Sequence, residues 1–251
     1  MNHIHLSQPQ SVSMSSGWFD ISHPDHFWIL HRERLILKYF AKDIKEAQAI
    51  AEIGCGNGLI LSAISKNFNK ALDGFDLNEY ALDQCMSFKG QLYYYDILDR
   101  HLDLKEKYDL LFLLDVLEHI DDEIAFLDAA GWHLKPGGKI ITNVPCNSKL
   151  YSKYDEAAGH FRRYDIPQLL NVLQNAGFSS LRHVNWGYVF IPIVLLRKLV
   201  VSLIPHHRVI QTGFETGKFT DRFFATLGRL DFNTSWTFPG TSVLVCARKP
   251  E

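Results

Sequence analysis

The chain has 251 residues, 47% of them hydrophobic, which is enough for one sizeable core and fits a single α/β domain spanning 1–251 with an elaborated cap. Its formal net charge is −2, and its densest basic stretch, His160-Phe161-Arg162-Arg163, is too small to cover a duplex, which argues against nucleic acid as a main partner. The four cysteines, Cys55, Cys85, Cys146 and Cys246, include no Cys-x-x-Cys pair and read as small buried hydrophobes of a reducing compartment.

Residues 1–16 are rich in Gln and Ser and read as a mobile leader. They show no basic region followed by an apolar core, so no secretory signal is expected and the expected location is cytoplasmic. Residues 17–45 read as a helical flap. It carries Trp18-Phe19-Asp20 and His26-Phe27-Trp28-Ile29-Leu30-His31-Arg32. The apolar run 47–51 reads as a buried strand. It leads into Glu52-Ile53-Gly54-Cys55-Gly56-Asn57-Gly58, and 59–64 has the apolar spacing of a helix. Glycines at three alternate positions remove every Cβ where the strand turns into the helix, so the backbone can approach a ligand. The helix start keeps its free N–H donors and positive dipole. Such a turn suits a polar or anionic small molecule. The dinucleotide fingerprint fails, because the sixth residue from Gly54 is Leu59, and no Gly-Lys-Ser/Thr ending marks a phosphate loop.

Further along, 71–76 reads as a second strand ending in Asp76, and 92–96 as a third ending in Asp96. The run 108–115 is apolar almost throughout, as suits a central parallel strand buried on both faces. Leu134-Lys135-Pro136-Gly137-Gly138-Lys139 reads as a sharp turn before a fifth strand at 140–144. Residues 147–164 read as a loop rich in Tyr, His and charge. A helix follows from an N-cap at Asp165, with Pro167 in its first turn and Gly177 as its stop. A strand at 180–186, an apolar and aromatic insert at 188–235 and a last strand at 241–247 complete the chain. Alternating strands and helices imply a doubly wound parallel sheet with its ligand at the carboxyl ends of the strands, where Gly54, Asp76, Asp96 and Asp115 fall.

Five segments occur in order over 47–146: the glycine turn, Asp76, Asp96, Asp115-Val116-Leu117-Glu118-His119, and Leu134-Lys135-Pro136-Gly137-Gly138. Together they resemble class I S-adenosylmethionine-dependent methyltransferases. The resemblance implies a Rossmann-like α/β fold with a seven-stranded sheet, mostly parallel with an antiparallel last strand. It implies S-adenosyl-L-methionine as cofactor and S-adenosyl-L-homocysteine as product. It assigns cofactor contacts to Glu52, Gly54, Cys55, Gly56, Asn57 and Gly58, to Asp76 and Leu77 at the ribose, to Asp96 and Ile97 near the adenine, and to Asp115 and Val116 near the methionine part. Gly159-His160-Phe161-Arg162-Arg163-Tyr164 is similar to a Gly-His-x-Arg-Arg-Tyr segment of a subset of the family. The His-Phe-Trp segment of that subset is matched by His26-Phe27-Trp28.

Methyl transfer from a sulfonium is an in-line displacement, so the protein must chiefly align the acceptor and exclude water. A base is required only if the acceptor loses a proton. The candidates are His160, His119 and Tyr164; the other reading of His119 is packing near the helix start at Asp121-Asp122. Trp28, Arg32, Tyr154, Arg162, Arg163 and Trp186 are candidate acceptor contacts. The alternative for the arginine pair is to pin the loop through Asp155 or Glu156. Aromatic residues gathered in the flap and insert, Trp236 among them, point to an apolar or ring-bearing acceptor. The acids at 118 and 121–123 suit the positive end of a helix, and His206-His207 and His23/His26 lack a third ligand, so no metal is expected. The apolar stretch 188–205 reads either as a cap helix or as a surface that accepts a lipid-like substrate or touches a membrane. The expected activity is methylation of a small molecule, on oxygen before carbon or nitrogen. The rival readings are a non-catalytic S-adenosylmethionine-binding protein and a nicotinamide-dependent oxidoreductase.

Overall fold

The computed structural model of the chain describes residues 2–10, 19, 22–214, 217–233 and 240–251. Eight strands form one sheet: β1 (His3–His5), β2 (Ile50–Ile53), β3 (Leu72–Asp76), β4 (Gly90–Tyr94), β5 (Tyr108–Leu114), β6 (Leu134–Pro145), β7 (Ser179–Trp186) and β8 (Ser242–Arg248). Their spatial order is β1-β4-β3-β2-β5-β6-β8-β7. Every pairing is parallel except those of β8, which runs antiparallel to both β6 and β7. The expected doubly wound sheet with an antiparallel last strand is therefore present, with one strand more than the seven expected.

The extra strand orders residues 3–5 of the segment read as a mobile leader, 1–16, of which 11–16 lie outside the described residues. His3, Ile4 and His5 pair with Leu92, Tyr93 and Tyr94, and Leu6 N–H continues the ladder to the Tyr94 carbonyl at 3.0 Å. The Ser7 hydroxyl then accepts from Asp96 N–H at 2.9 Å. This strand is held by backbone hydrogen bonds along the β4 edge. Its side chains carry no apolar alternation that a sequence scan can detect.

Alternation along β5 explains the layers. Leu111 and Leu113 point into one core with Phe126, Leu127, Leu169 and Leu173, while Leu110 and Phe112 point into the other with Leu35, Ile36, Ile60 and Ile64. The first face is covered by α5 (Glu123–His133) and α7 (Ile166–Asn175). The second is covered by α1 (Phe27–Tyr39), α2 (Ala41–Glu46), α3 (Leu59–Phe68) and the short α4 (Glu79–Asp83). Every residue of β5 except Asp109 is buried. Truncating Leu111 to Ala at such a position costs about 2–5 kcal/mol.

Three boundaries and one helix cap differ from expectation for local reasons. β2 begins at Ile50, because Gln48 and Ala49 N–H groups instead bond the Asp109 carboxylate at 3.0 and 2.7 Å. β4 ends at Tyr94, and Asp96 caps a following turn by accepting from Leu98 N–H at 2.9 Å. The expected turn at 134–139 lies inside β6, as an irregularity where the partner of Tyr108 is Leu134 and the partner of Leu110 is Lys139. Asp165 occupies the N-cap of α7, but its carboxylate accepts from Ser148 N–H and hydroxyl at 3.1 and 2.8 Å, tying down the loop instead of the helix.

Two regions overhang the carboxyl edge. The loop after β6 contains α6 (Lys153–Ala158), closed by a capping box between Ser152 and Asp155. The insert after β7 folds into α8 (Ile191–Ser202), α9 (Val209–Phe214) and α10 (Lys218–Leu227). A separate apolar cluster joins Ile29 of α1, Leu59 of α3, Tyr154 of α6, Val201 of α8 and Val209 of α9. Flap, motif helix, loop and insert thus meet in one small core. Among the described residues no helix is long and apolar enough to cross a membrane. Trp18, Asp20 and Trp236 lie outside the described residues.

Candidate functional site

A cavity of about 650 Å³ opens at the carboxyl ends of the central strands, beneath the flap, the loop and the insert. Its floor is the glycine turn. Gly54 and Gly56 take φ of 71° and 52°. A Cβ at Gly54 would come within 2.5 Å of Val116, and one at Gly56 within 2.8 Å of the Phe19 ring. Both positions therefore need glycine for conformation and for space. Cys55 and Asn57 also line the cavity. Gly58 does not; it is the N-cap of α3 at φ 75°, and a Cβ there would collide with Cys85. The Cys55 thiol is pushed up by burial, which leaves it a packed thiol and not a nucleophile.

Acids ring this floor. The Asp76 carboxylate accepts from Gly56 N–H at 2.7 Å and from Asn78 N–H at 2.8 Å, and burial raises its pKa despite these bonds. Leu77 and Ile97 lie beside it on the wall, as does Asp96, whose carboxylate accepts from Gln10 at 2.8 Å. Glu52 is buried at the end of β2. Burial drives its pKa up to about 8 against the pull of Arg32, and its Oε2 has no partner among the described residues. Asp115 follows β5 in a left-handed conformation at φ 58°. Arg32 of α1 and Asn143 of β6 both donate to its carboxylate. Asn143 in turn accepts from Trp186 Nε1 at 2.9 Å, and the Trp186 ring packs on Trp28 at 4.6 Å. Trp28, Arg32 and Val116 line the cavity; Trp186 stands behind them, fully buried.

The opposite end carries the ionisable side chains of the loop. His160 Nδ1 lies 3.3 Å from the Asp155 carboxylate, so it carries the proton and leaves Nε2 bare in the neutral ring. Arg163 Nε donates to the same carboxylate at 2.7 Å. Burial alone would raise the pKa of Asp155, but His160 and Arg163 hold it down to about 2. His119 packs edge-on against His160 at 4.7 Å and donates from Nδ1 to the Gly159 carbonyl at 3.2 Å. Burial and the neighbouring His160 lower its pKa to about 4, so it is neutral at physiological pH. Tyr154 completes this wall, with the Arg197 guanidinium 4.0 Å from its ring centroid.

Besides Gly58 and Trp186, two more predicted residues fall outside the cavity. Tyr164 is fully buried away from the cavity, and its hydroxyl meets the Leu117 carbonyl at 3.2 Å and the Glu123 carboxylate at 2.5 Å. Arg162 binds Glu123 and the Ile120 and Asp121 carbonyls, the latter two at 3.0 and 3.2 Å. The pair Arg162–Tyr164 therefore fastens the loop to the start of α5, and Arg163 alone of the two arginines reaches the cavity.

Glu118, read from the sequence as an acid suited to the positive end of a helix, takes a different place. It is fully buried against the cavity, neither carboxylate oxygen has a partner among the described residues, and burial pushes its pKa well above the usual range. Glu118, His119 and His160 each bring one donor atom within 4.8 Å of the others. Burial thus disfavours charge on both Glu118 and His119, and the trio stands as a close group of hydrogen-bonding side chains. The alternative reading, an arginine pinning the loop through Asp155, holds for Arg163, while the contact of the same carboxylate with His160 was not legible.

A family model described as a methyltransferase domain matches residues 25–183. Phosphoethanolamine N-methyltransferase of Triticum aestivum is 24% identical over 208 residues, covering 77% of this chain and 38% of that protein. Ubiquinone biosynthesis O-methyltransferase of Rickettsia typhi is 30% identical over 152 residues, covering 55% of this chain and 60% of its own. The chain thus spans only part of the curated relatives it matches. Among solved structures, Haemonchus contortus phosphoethanolamine N-methyltransferase 2 in complex with S-adenosyl-L-methionine superposes with a TM-score of 0.62 at 17% identity. The match covers 94% of this chain and 58% of that one. At that identity the likeness is one of fold.

Proposed function

The chain belongs to the methyltransferase-domain family, and from that premise we propose that it transfers a methyl group from S-adenosyl-L-methionine to a small apolar or ring-bearing acceptor, on oxygen before nitrogen or carbon. One observation carries the reading. A single cavity joins the glycine turn and its ring of acids to a histidine pair and an aromatic wall. The glycine turn fits the cofactor because its backbone leaves a cradle that a Cβ at Gly54 or Gly56 would disturb. Asp76 would hold the ribose, Asp96 and Ile97 the adenine edge, and Glu52 and Asp115 the charged methionine end. Bound there, the cofactor supplies an electrophilic methyl on a sulfonium.

The protein's own work is positioning and proton handling. Trp28, Tyr154 and the insert side chains exclude water and hold the acceptor in line. His160 Nε2 takes the acceptor's proton as the new O–C bond forms and the S–C bond breaks. Asp155 keeps the His160 ring in the required tautomer. His119, neutral and fixed by Gly159, offers a hydrogen bond beside it.

The cationic side chains on the cavity wall weigh against a phosphate-bearing acceptor. Arg32 is engaged by Asp115, Arg163 by Asp155, and Arg197 lies on Tyr154. A phosphate would have to displace an existing partner from one of them. The test is a panel of phenols, carboxylic acids, amines and phosphoethanolamine, each incubated with methyl-labelled cofactor. Label on a phenol or carboxylate supports the reading. Transfer confined to phosphoethanolamine overturns the choice of acceptor, and cofactor binding without release of S-adenosylhomocysteine from any member counts against catalysis.

A further inference from the structure

Helix α8 faces two ways. Val194 and Val201 are buried and line the cavity. On the other side Leu195, Leu199 and Leu203 follow one another at intervals of four, as do Leu196 and Val200, making one apolar stripe along the helix. Leu199 is 66% exposed and Leu203 is 86% exposed. Leu196 and Val200 are exposed and also line the cavity, so the stripe runs into the cavity wall at its mouth.

Charge within the segment that carries the stripe has one sign. Residues 188–214 contain no acid, and they contain Arg197, Lys198 and Arg208. The first two do not interrupt the apolar face: Arg197 turns inward onto Tyr154, and Lys198 Nζ donates to the Lys149 carbonyl at 2.9 Å. A bare apolar stripe of this extent marks an interaction surface. Ile191–Ser202 is far too short to cross a bilayer, but it has the form of a helix that lies in the interface. Lys198 and Arg208 would sit among headgroups, where anionic lipid attracts them, while Arg197 stays inside.

We propose that this face of α8 docks on an anionic lipid bilayer, with the cavity mouth turned to the acyl region. The idea that the acceptor enters from the bilayer rests on the methyltransferase reading; the docking itself is measured without turnover. Charge complementarity and continuity with the cavity favour a membrane over a second copy of the chain.

The experiment is co-sedimentation with vesicles of phosphatidylglycerol and phosphatidylcholine in equal parts, against vesicles of phosphatidylcholine alone. The wild-type protein should bind the mixed vesicles roughly tenfold or more tightly, and salt should weaken this preference. Leu195→Glu/Leu199→Glu/Leu203→Glu should lose roughly tenfold or more of that binding while keeping wild-type affinity for S-adenosylhomocysteine and a wild-type unfolding temperature. Leu199→Glu alone should lose part of it, which guards against a triple variant that fails to fold. No binding of the wild type to mixed vesicles overturns the proposal, as does wild-type binding by folded variants. A wild-type dimer that the variants convert to monomers would assign the stripe to a second copy and overturn it equally. Loss of vesicle binding with methyl transfer intact would support the surface independently of the reaction.

Discussion

Arg32 of the flap helix and Asp115 at the end of β5 form an ion pair that fastens the flap to the floor of the cavity. Asp115 sits in the left-handed region at φ 58°, and Asn143 holds its other oxygen. The pair therefore fixes two things at once: where the flap rests and how a strained strand end is presented.

Removing the guanidinium should detach that anchor. Arg32→Ala is expected to cost about 2 kcal/mol of stability, the range for hydrogen bonds to charged groups at a partly exposed carboxylate. Urea denaturation of Arg32→Ala, Asp115→Asn and the double variant would give the coupling between them. Additive losses would show that the two side chains do not act as a pair.

The Gly56→Val change should cost cofactor binding more than it costs folding. A Cβ there meets the Phe19 ring at 2.8 Å and sits at φ 52°, so the turn must open. Affinity for S-adenosylmethionine should fall by roughly a hundredfold or more. Calorimetric titration of the folded variant checks this, and near-normal affinity would remove the glycine turn from the site.

Asp76→Ala removes the acceptor for the Gly56 and Asn78 amides. Affinity for S-adenosylmethionine and S-adenosylhomocysteine should weaken alike, by about 1.5–3 kcal/mol, because the ribose is common to both. If one ligand alone is affected, Asp76 acts near the sulfonium instead.

His160→Ala should leave cofactor affinity within about twofold and lower turnover about a hundredfold or more. Asp155→Asn should preserve the cofactor site and shift the pH–rate profile, since it changes the tautomer and charge facing His160. Single-turnover rates at several pH values separate the two roles. Unchanged turnover in His160→Ala would return His160 to packing.

His119 predicts an acid-labile fold. Its pKa falls from 6.5 to about 4 because burial and His160 disfavour the imidazolium. A depressed folded pKa means the unfolded chain binds more protons between these values, so the contribution is complete above pH 6.5 and is lost as pH falls toward 4. Denaturation midpoints of wild type and His119→Gln, measured across this window, should converge as the solution is acidified. Parallel curves would show that His119 titrates normally.

The sheet was readable because its signals are local. A continuous apolar run marks β5, and glycines mark the turn after β2. Asp76, Asp96 and Asp115 followed from their places after strands. What stayed hidden depends on contacts between distant segments. Tyr164 and Arg162 share a motif with His160 and Arg163, yet the chain's turn there sends alternate residues to Glu123 and to the cavity. Trp186 looked like a substrate contact because it is aromatic; in the fold it serves as the floor under Trp28 and the donor to Asn143. β1 escaped notice because His3-Ile4-His5 shows no apolar alternation, and its partners on β4 and beyond are remote in sequence.

The packing of Trp28 on Trp186 also has a spectroscopic side. One indole faces the cavity and the other is sealed in the core with its N–H committed to Asn143. A ring-bearing molecule settling on Trp28 would change the surroundings of the outer indole while leaving the inner one in place. Emission from the pair would then follow occupancy of the acceptor side without any added label, and a Trp28→Phe protein would supply the blank.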